Sequence, residues 1–391
     1  MELASLQAYM NDQRIDGWLL YDFRGSNPVF ARMMPPLGHT TRRAFLWIPA
    51  RGAARLLCSR IDRPAFAAAP MDQDHYTSWR EMQTWLAGRV SSGARIAMEY
   101  SPGNALPAVA YVDAGTIELI RGLGGEVVSS ANLVQVGAAR WSASAAQAHA
   151  AASKAVAEIK DAAFGLIAER LAAGARVTEY DVQRFILQRF DEAGLQYPDP
   201  PIVAANAHSG DPHFEVSAAN PAEIRKGDWV LIDLWARVPG NENIYSDITW
   251  VGFAGRNVPA AHARVFSVVK QARDAALELA RSAGGGDRRI CGWELDEAAM
   301  RVIRDAGFSE GIRHRTGHSL SPGALVHGIG MNLDNLETHD TRELLPGVGF
   351  TIEPGVYLPE FGVRLEINVH YDPTTGPTVT SCVQNEVLLL A

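Results

Sequence analysis

Asp233, Asp247, His318, Glu353 and Glu366 are the residues whose types and spacing point to chemistry, because each sits where an apolar core would not place it. Asp233 interrupts the run Trp229-Val230-Leu231-Ile232-Asp233-Leu234-Trp235. Asp247 follows in Ile244-Tyr245-Ser246-Asp247-Ile248-Thr249-Trp250, after a Pro-Gly-Asn turn region. The pattern predicts a β-hairpin with one carboxylate per strand. It recurs at Phe350-Thr351-Ile352-Glu353-Pro354-Gly355-Val356-Tyr357 and Gly362-Val363-Arg364-Leu365-Glu366-Ile367-Asn368-Val369, so a second hairpin carries a second pair. Cross-strand neighbours on one face lie ~5 Å apart, where like charges repel. Buried carboxylates that close must take up protons, find cations or coordinate metal. Solvated edge charges, or pairing with arginines such as Arg364, are the alternative. Two matched hairpins plus the histidine of Thr316-Gly317-His318 favour metal. One imidazole among four carboxylates is a hard-oxygen donor set, which suits Mn²⁺ or Co²⁺ better than a thiolate-type zinc site.

The elements that must position these residues fall in two parts. Up to about residue 140, short strands alternate with helices: Trp18–Tyr21, Ala44–Ile48, Arg55–Cys58 and Arg95–Tyr100 are strand-like, with a turn at Pro49-Ala50-Arg51-Gly52. An Ala-rich helix is predicted from Ser142 to Ala173, ending at Gly174. Thr178 with Asp181 reads as a capping box for a helix running to Gly194. Two more helices are expected, from Pro259 to Ala283 with a stop at Gly284-Gly285-Gly286, and from Glu294 to Ala306 before Gly307. Paired strands packed with helices, twice over, suggest an internally duplicated α+β domain.

The 391 residues suit two or three domains, and 47% hydrophobic content is ample for their cores. With a net charge of −8 and basic residues never clustered beyond pairs, nucleic-acid binding is not expected. The N-terminus lacks a basic and apolar leader pattern, and no apolar run reaches the ~18 residues of a membrane span, so a cytoplasmic protein with no membrane contact is expected. Cys58, Cys291 and Cys382 match no zinc or redox spacing. Gly122-Leu123-Gly124-Gly125 has the spacing of a turn rather than a phosphate loop. Gly317-His318-Ser319-Leu320-Ser321 is not a nucleophile elbow, which disfavours a serine hydrolase.

Leu231-Ile232-Asp233, Ser246-Asp247-Ile248-Thr249, Thr316-Gly317-His318, Thr351-Ile352-Glu353-Pro354-Gly355-Val356-Tyr357 and Gly362-Val363-Arg364-Leu365-Glu366 stand in the order of the pita-bread metallopeptidases. The chain resembles that family: prolidase, aminopeptidase P, methionine aminopeptidase and the metal-free creatinase. The resemblance implies an N-terminal α/β creatinase/prolidase-type domain over 1–140 and an internally duplicated pita-bread catalytic domain over 141–391. It further implies two divalent ions, Mn²⁺ with Co²⁺ or Zn²⁺ as alternatives. Asp233 would hold one, His318 and Glu353 the other, and Asp247 and Glu366 would bridge them. Two such ions ~3.5–4 Å apart can activate a shared water and polarise a carbonyl.

By the same resemblance, His213 is a substrate-side histidine and His327 the histidine that hydrogen-bonds the scissile carbonyl or oxyanion. Both are counted with Glu353 as catalytic. His314 and Arg364 are expected to touch substrate or orient ligands. The implied activity is hydrolysis of Xaa-Pro bonds in small peptides by a homodimer, most similar to bacterial Xaa-Pro dipeptidases. Aminopeptidase P action on longer peptides, a creatinase-like C–N hydrolase and a non-catalytic peptide-binding module are the other readings. The chain departs from the family at Trp250, where relatives carry arginine, and at Gly328, where they carry an acid. Its His318 to His327 segment and its Asp233 to Asp247 hairpin are also longer than the compact family form.

Overall fold

A computed structural model describes residues 3–35, 38–219, 221–283 and 288–390. The chain divides into two compact units, residues 1–138 and 139–391. The first holds helices α1 (Leu3–Asp12), α2 (Pro28–Met33), α3 (Trp79–Ala87), α4 (Ala114–Gly122) and α5 (Ala131–Val134). Its strands are β1 (Gly17–Phe23), β2 (Arg43–Pro49), β3 (Arg55–Ser59), β4 (Asp72–Tyr76), β5 (Arg95–Met98) and β6 (Glu126–Ser129). They form one mixed sheet in the order β4-β3-β2-β1-β5-β6. Alternating apolar side chains of the inner strands, such as Leu19, Tyr21 and Phe45, pack with Met82, Leu86, Ile117 and Ile120 of α3 and α4. Ser78 and Glu81 cap α3 reciprocally.

Glu99, at the end of β5, is fully buried. It accepts from the Trp18 indole at 2.6 Å, the Asn27 amide at 2.8 Å and the Ser130 hydroxyl at 3.0 Å. Burial pushes its carboxyl up to about 7. Glu99→Ala would leave three interior donors without an acceptor, so a stability loss of roughly 3 kcal/mol is expected in urea unfolding. A loss below ~1 kcal/mol would show that water replaces the carboxylate.

The second unit contains α6 (Ala143–Ala172), α7 (Glu179–Glu192), α8 (Ala260–Ser282) and α9 (Gly292–Asp305). Its strands are β7 (Ile202–Ala205), β8 (Trp229–Ala236), β9 (Ser246–Phe253), β10 (Ser319–Leu320), β11 (Gly349–Ile352), β12 (Gly355–Tyr357), β13 (Gly362–Arg364), β14 (Ile367–Asp372), β15 (Gly376–Val379) and β16 (Leu388–Leu389). They build two four-stranded sheets, β16-β9-β8-β7 and β10-β11-β14-β15, with a separate β12-β13 ribbon. Each sheet takes a helix pair. Val156, Ile159, Ala163, Phe164 and Ile167 recur at helical spacing along α6 and bury against Val230, Ile232 and Ile248 of the first sheet. Helices α8 and α9 pack on each other, and α8 lies on β11 and β15. This is the duplicated α+β architecture expected from the sequence.

The caps follow local chemistry. Thr178 and Asp181 form the capping box of α7, and Gly174, Gly194 and Gly307 take left-handed backbone just beyond their helices. The Gly284-Gly285-Gly286 stop signal lies outside the described residues. Among the described residues, no helix is long and apolar enough to cross a membrane.

Candidate active site

The first hairpin pairs Asp233 with Thr249 and Trp235 with Asp247. Positions two apart share a face, so both acids emerge on one side of the sheet, diagonally rather than directly opposed. The sequence pattern suggested facing carboxylates. The actual register places Thr249 between the acid pairs, where its hydroxyl donates to Glu366 Oε2 at 2.9 Å and accepts from Arg364 Nε at 3.0 Å.

The second hairpin opens where its acids sit. Ile352 pairs with Ile367 and Gly355 with Arg364, while Glu353-Pro354 and Leu365-Glu366 lie between the two ladders. Their amides go elsewhere: Glu353 N donates to Thr316 O at 2.7 Å and Glu366 N to Thr249 O at 3.2 Å. Pro354 has no N–H to lose from a ladder. The opening thus ties the second hairpin to the first and to the segment bearing His318.

His318 is held by its backbone, with its N–H donating to Thr351 Oγ1 at 2.9 Å. Gly317 permits that approach, since a Cβ there would meet Thr351 O at 2.2 Å. The imidazole Nδ1 lies 3.1 Å from Ser319 O and donates to it. That tautomer leaves the Nε2 lone pair facing inward, 3.4 Å from both Asp247 Oδ2 and Glu353 Oε1. Asp247, His318 and Glu366 each offer a donor atom within 4.8 Å of the others.

The electrostatics of the cluster follow from its burial and crowding. Burial pushes the Asp247 carboxyl up to about 7, and burial together with Asp247, Glu353 and Asp233 raises Glu366 well above the carboxylate range. Asp233 is raised too, by burial, against the pull of Arg364. Burial would also raise Glu353, but the imidazoles of His318 and His314 and the Arg364 guanidinium hold it below its usual value. Asp233 Oδ1 and Glu366 Oε1 are buried with no hydrogen-bond partner. Orphaned acceptors beside crowded carboxylates are the mark of a site completed by cations, and the donor set fits a hard divalent metal.

All five residues line one cavity of about 790 Å³, together with His213, His314, His327 and Arg364. His213 is exposed at its edge. The His327 ring lies 4.0 Å from that of His318. Arg364 is buried and donates to Asp233 Oδ2, to Thr249 and, at 2.8 Å, to the Tyr357 hydroxyl. His314 Nδ1 donates to Arg315 O at 2.7 Å, so its Nε2 accepts from the Tyr357 hydroxyl at 2.7 Å. Tyr357 therefore links Arg364 to His314, a role no sequence signal assigned. Burial pushes His314 down to about 4, which keeps it a neutral acceptor.

The departures from the family have local reasons. Gly328 is required because a Cβ would lie 2.3 Å from Ser321 Oγ, where the segment closes on itself. Trp250 alternates with Thr249 and so points away from the acids. It packs on the α6 side, with the Lys160 ammonium 3.3 Å over its ring. The cavity that the acids line does not include it.

Residues 144–372 match the sequence model of metallopeptidase family M24. The chain belongs to this family. An Xaa-Pro dipeptidase of Pyrococcus horikoshii is 30% identical over 210 residues, 54% of each chain. The M24 chain spans about half the length of the curated relatives it matches. Among solved structures, dipeptidase PepE of Mycobacterium ulcerans superposes with a TM-score of 0.69 at 21% identity, covering 99% of this chain and 96% of that one. The X-Pro aminopeptidase of Thermotoga maritima superposes at 0.56 with 20% identity, covering 97% and 99%. The pita-bread fold is thus shared with dipeptidase and aminopeptidase alike.

Proposed function

We propose that this M24 chain is a dinuclear metal-dependent peptidase that cleaves Xaa-Pro bonds, most readily in dipeptides. The carrying observation is the set Asp233, Asp247, His318, Glu353 and Glu366 on one cavity, all buried but the partly exposed Glu353, with two of its carboxylate oxygens unpartnered. Asp233 would hold one ion, His318 and Glu353 the other, with Asp247 and Glu366 shared. When bound, the ions supply a Lewis acid for the scissile carbonyl and a nucleophilic water at neutral pH.

The protein's own groups supply the rest. Glu353 accepts the proton of the attacking water and returns it to the proline nitrogen. His327 donates to the developing oxyanion, and His213 stands at the substrate edge of the cavity. Arg364 fixes Asp233, and through Tyr357 it fixes His314. A bond to proline has no N–H to grip, so polarising its carbonyl is the available route. Arg315, which lines the cavity alongside Arg313 and lies 3.2 Å from Glu337, would meet a substrate carboxylate.

Chelation is expected to abolish hydrolysis, and Mn²⁺ or Co²⁺ to restore it at two ions per chain. Lengthening the substrate from Xaa-Pro to Xaa-Pro-Xaa should lower kcat/KM at least tenfold, or ~1.4 kcal/mol. Equal or faster tripeptide cleavage would move the assignment to aminopeptidase P. Full activity of metal-free protein would overturn the metal reading. A cytoplasmic homodimer is part of the proposal, and light scattering on the purified chain tests the assembly.

A further inference from the structure

One end of the first unit's sheet carries positive charge that nothing in the unit neutralises. The ladders set the last residues of β1, β3 and β4 beside the first of β2, pairing Phe23 with Arg43 and Ser59 with Tyr76. Neighbouring strands lie ~4.8 Å apart, so the four ends span ~14 Å. The loops at these ends are braced to one another. Asp62 accepts from Thr41 N at 2.9 Å and Arg42 N at 2.7 Å, and Arg60 N donates to Tyr76 O at 3.0 Å. The Tyr76 hydroxyl in turn donates to Arg43 O at 2.8 Å. They form one continuous rim.

Arg24, Arg42, Arg60, Arg63 and Arg80 are exposed on this rim, and among the described residues none of them makes an ion pair. The acids at hand are engaged by backbone amides instead. Asp22 takes those of Gly25 and Asn27, Asp62 those of Thr41 and Arg42, and Glu81 those of Thr77 and Ser78. Elsewhere in the unit arginines do find acids: Arg55 and Arg89 pair with Asp74 at 3.0 and 3.1 Å. Between the unpaired guanidinium groups stand Phe23, Ile61 and Trp79, 39%, 67% and 51% exposed. Arg80 lies 4.4 Å over the Trp79 ring and Arg24 4.9 Å over that of Phe23. Arginine interleaved with exposed tryptophan, without lysine or free acid, is the composition of interface hot spots.

The charge calls for an anionic partner, and the apolar residues narrow its class. Ile61 offers nothing to a phosphate but fits an apolar side chain. Arginines and acids nearly balance over residues 1–138, so the positive potential is local to the rim and does not suit a long polyanion. A two-fold contact of the rim with itself would set like charges face to face. We propose that this rim docks a short acidic segment of another protein, its carboxylates on the arginines and its apolar side chains against Trp79 and Ile61.

The test titrates the full chain into a fluorescein-labelled, N-acetylated, proline-free peptide of repeating Glu-Glu-Leu, read by anisotropy. Saturable binding is expected, weakening at least ~tenfold as salt rises from ~0.05 to ~0.3 M, because exposed charge pairs are screened. The Lys-Lys-Leu counterpart should not bind. Arg60→Glu combined with Arg63→Glu should weaken binding at least ~tenfold, and Trp79→Ala severalfold, with the circular dichroism of the wild type. If the double variant does not fold, Trp79→Ala and Ile61→Ser carry the test. No binding of the acidic peptide, or binding that these variants leave unchanged, overturns the proposal. Tighter binding of oligothymidylate or of phosphatidylserine vesicles, lost in the same variants, overturns it in favour of a nucleic-acid or membrane surface. A fall from dimer to monomer in the same variants, read by light scattering, overturns it in favour of a second copy of this chain.

Discussion

Asp247→Asn and Glu366→Gln are each expected to lower kcat by at least ~10³, about 4 kcal/mol of transition-state stabilisation. Both side chains are buried, and both offer an oxygen close to the inward-facing nitrogen of His318. An amide of the same shape keeps the packing but puts an N–H₂ where a second anionic oxygen is needed. The fold around Asp247 should persist, because Asn368 holds its backbone through an amide donating to Asp247 O and an oxygen accepting from Asp247 N at 3.0 Å. Bound metal should fall from two ions per chain to one or none, read by elemental analysis. The chelated protein provides a second readout. The Asp247 carboxyl is pushed from its ordinary 3.8 up to about 7, so between those values the folded state binds more protons than the unfolded one. The stability of chelated wild type therefore declines as pH rises through that window, and Asp247→Asn should flatten the decline. Unchanged kcat with both metals retained would remove Asp247 and Glu366 from the proposed shared positions.

The acid-bearing strands were legible because an aspartate or glutamate inside an apolar run contradicts its surroundings. Helix ends were legible for a similarly local reason: Thr178 with Asp181, and the glycines at 174, 194 and 307, act within a few residues. What escaped depends on partners far apart in sequence. The diagonal register of Asp233 and Asp247 is set by the whole β8–β9 ladder. The opening of the second hairpin needs Thr249 and Thr316 as alternative acceptors. Tyr357 acquires its place only when Arg364 and His314 arrive from two other segments. Strand β4 was missed because Asp72-Gln73-Asp74-His75-Tyr76 is a polar edge strand, stabilised by Arg55 pairing with Asp74 at 3.0 Å rather than by apolar alternation.

His327→Ala is expected to lower kcat by roughly 10²–10³ while leaving KM for a dipeptide nearly unchanged and both metals in place, since an oxyanion donor acts mainly in the transition state. The ring lines the cavity, tilted against His318 at 4.0 Å, and among the described residues it makes no hydrogen bond that would occupy its nitrogens. The neighbouring His318 imidazole holds it down to about 3. His327 is therefore expected to be neutral near pH 7, with one N–H to donate. A neutral donor of this kind should leave the pH profile of kcat without a limb of its own. A protonated imidazolium acting as general acid would add a limb, and that limb would vanish in the alanine variant. Position matters as much as charge state. His327 follows Gly323 and Ala324, whose carbonyls accept from Arg237 and from the Tyr245 hydroxyl, so its backbone is held close to the cavity. Preorganisation is what makes such a donor effective. His327→Asn, which restores an N–H on a shorter side chain, should recover part of the loss. Unchanged kcat in His327→Ala would reassign the residue to structure, and loss of a metal ion would make it a ligand.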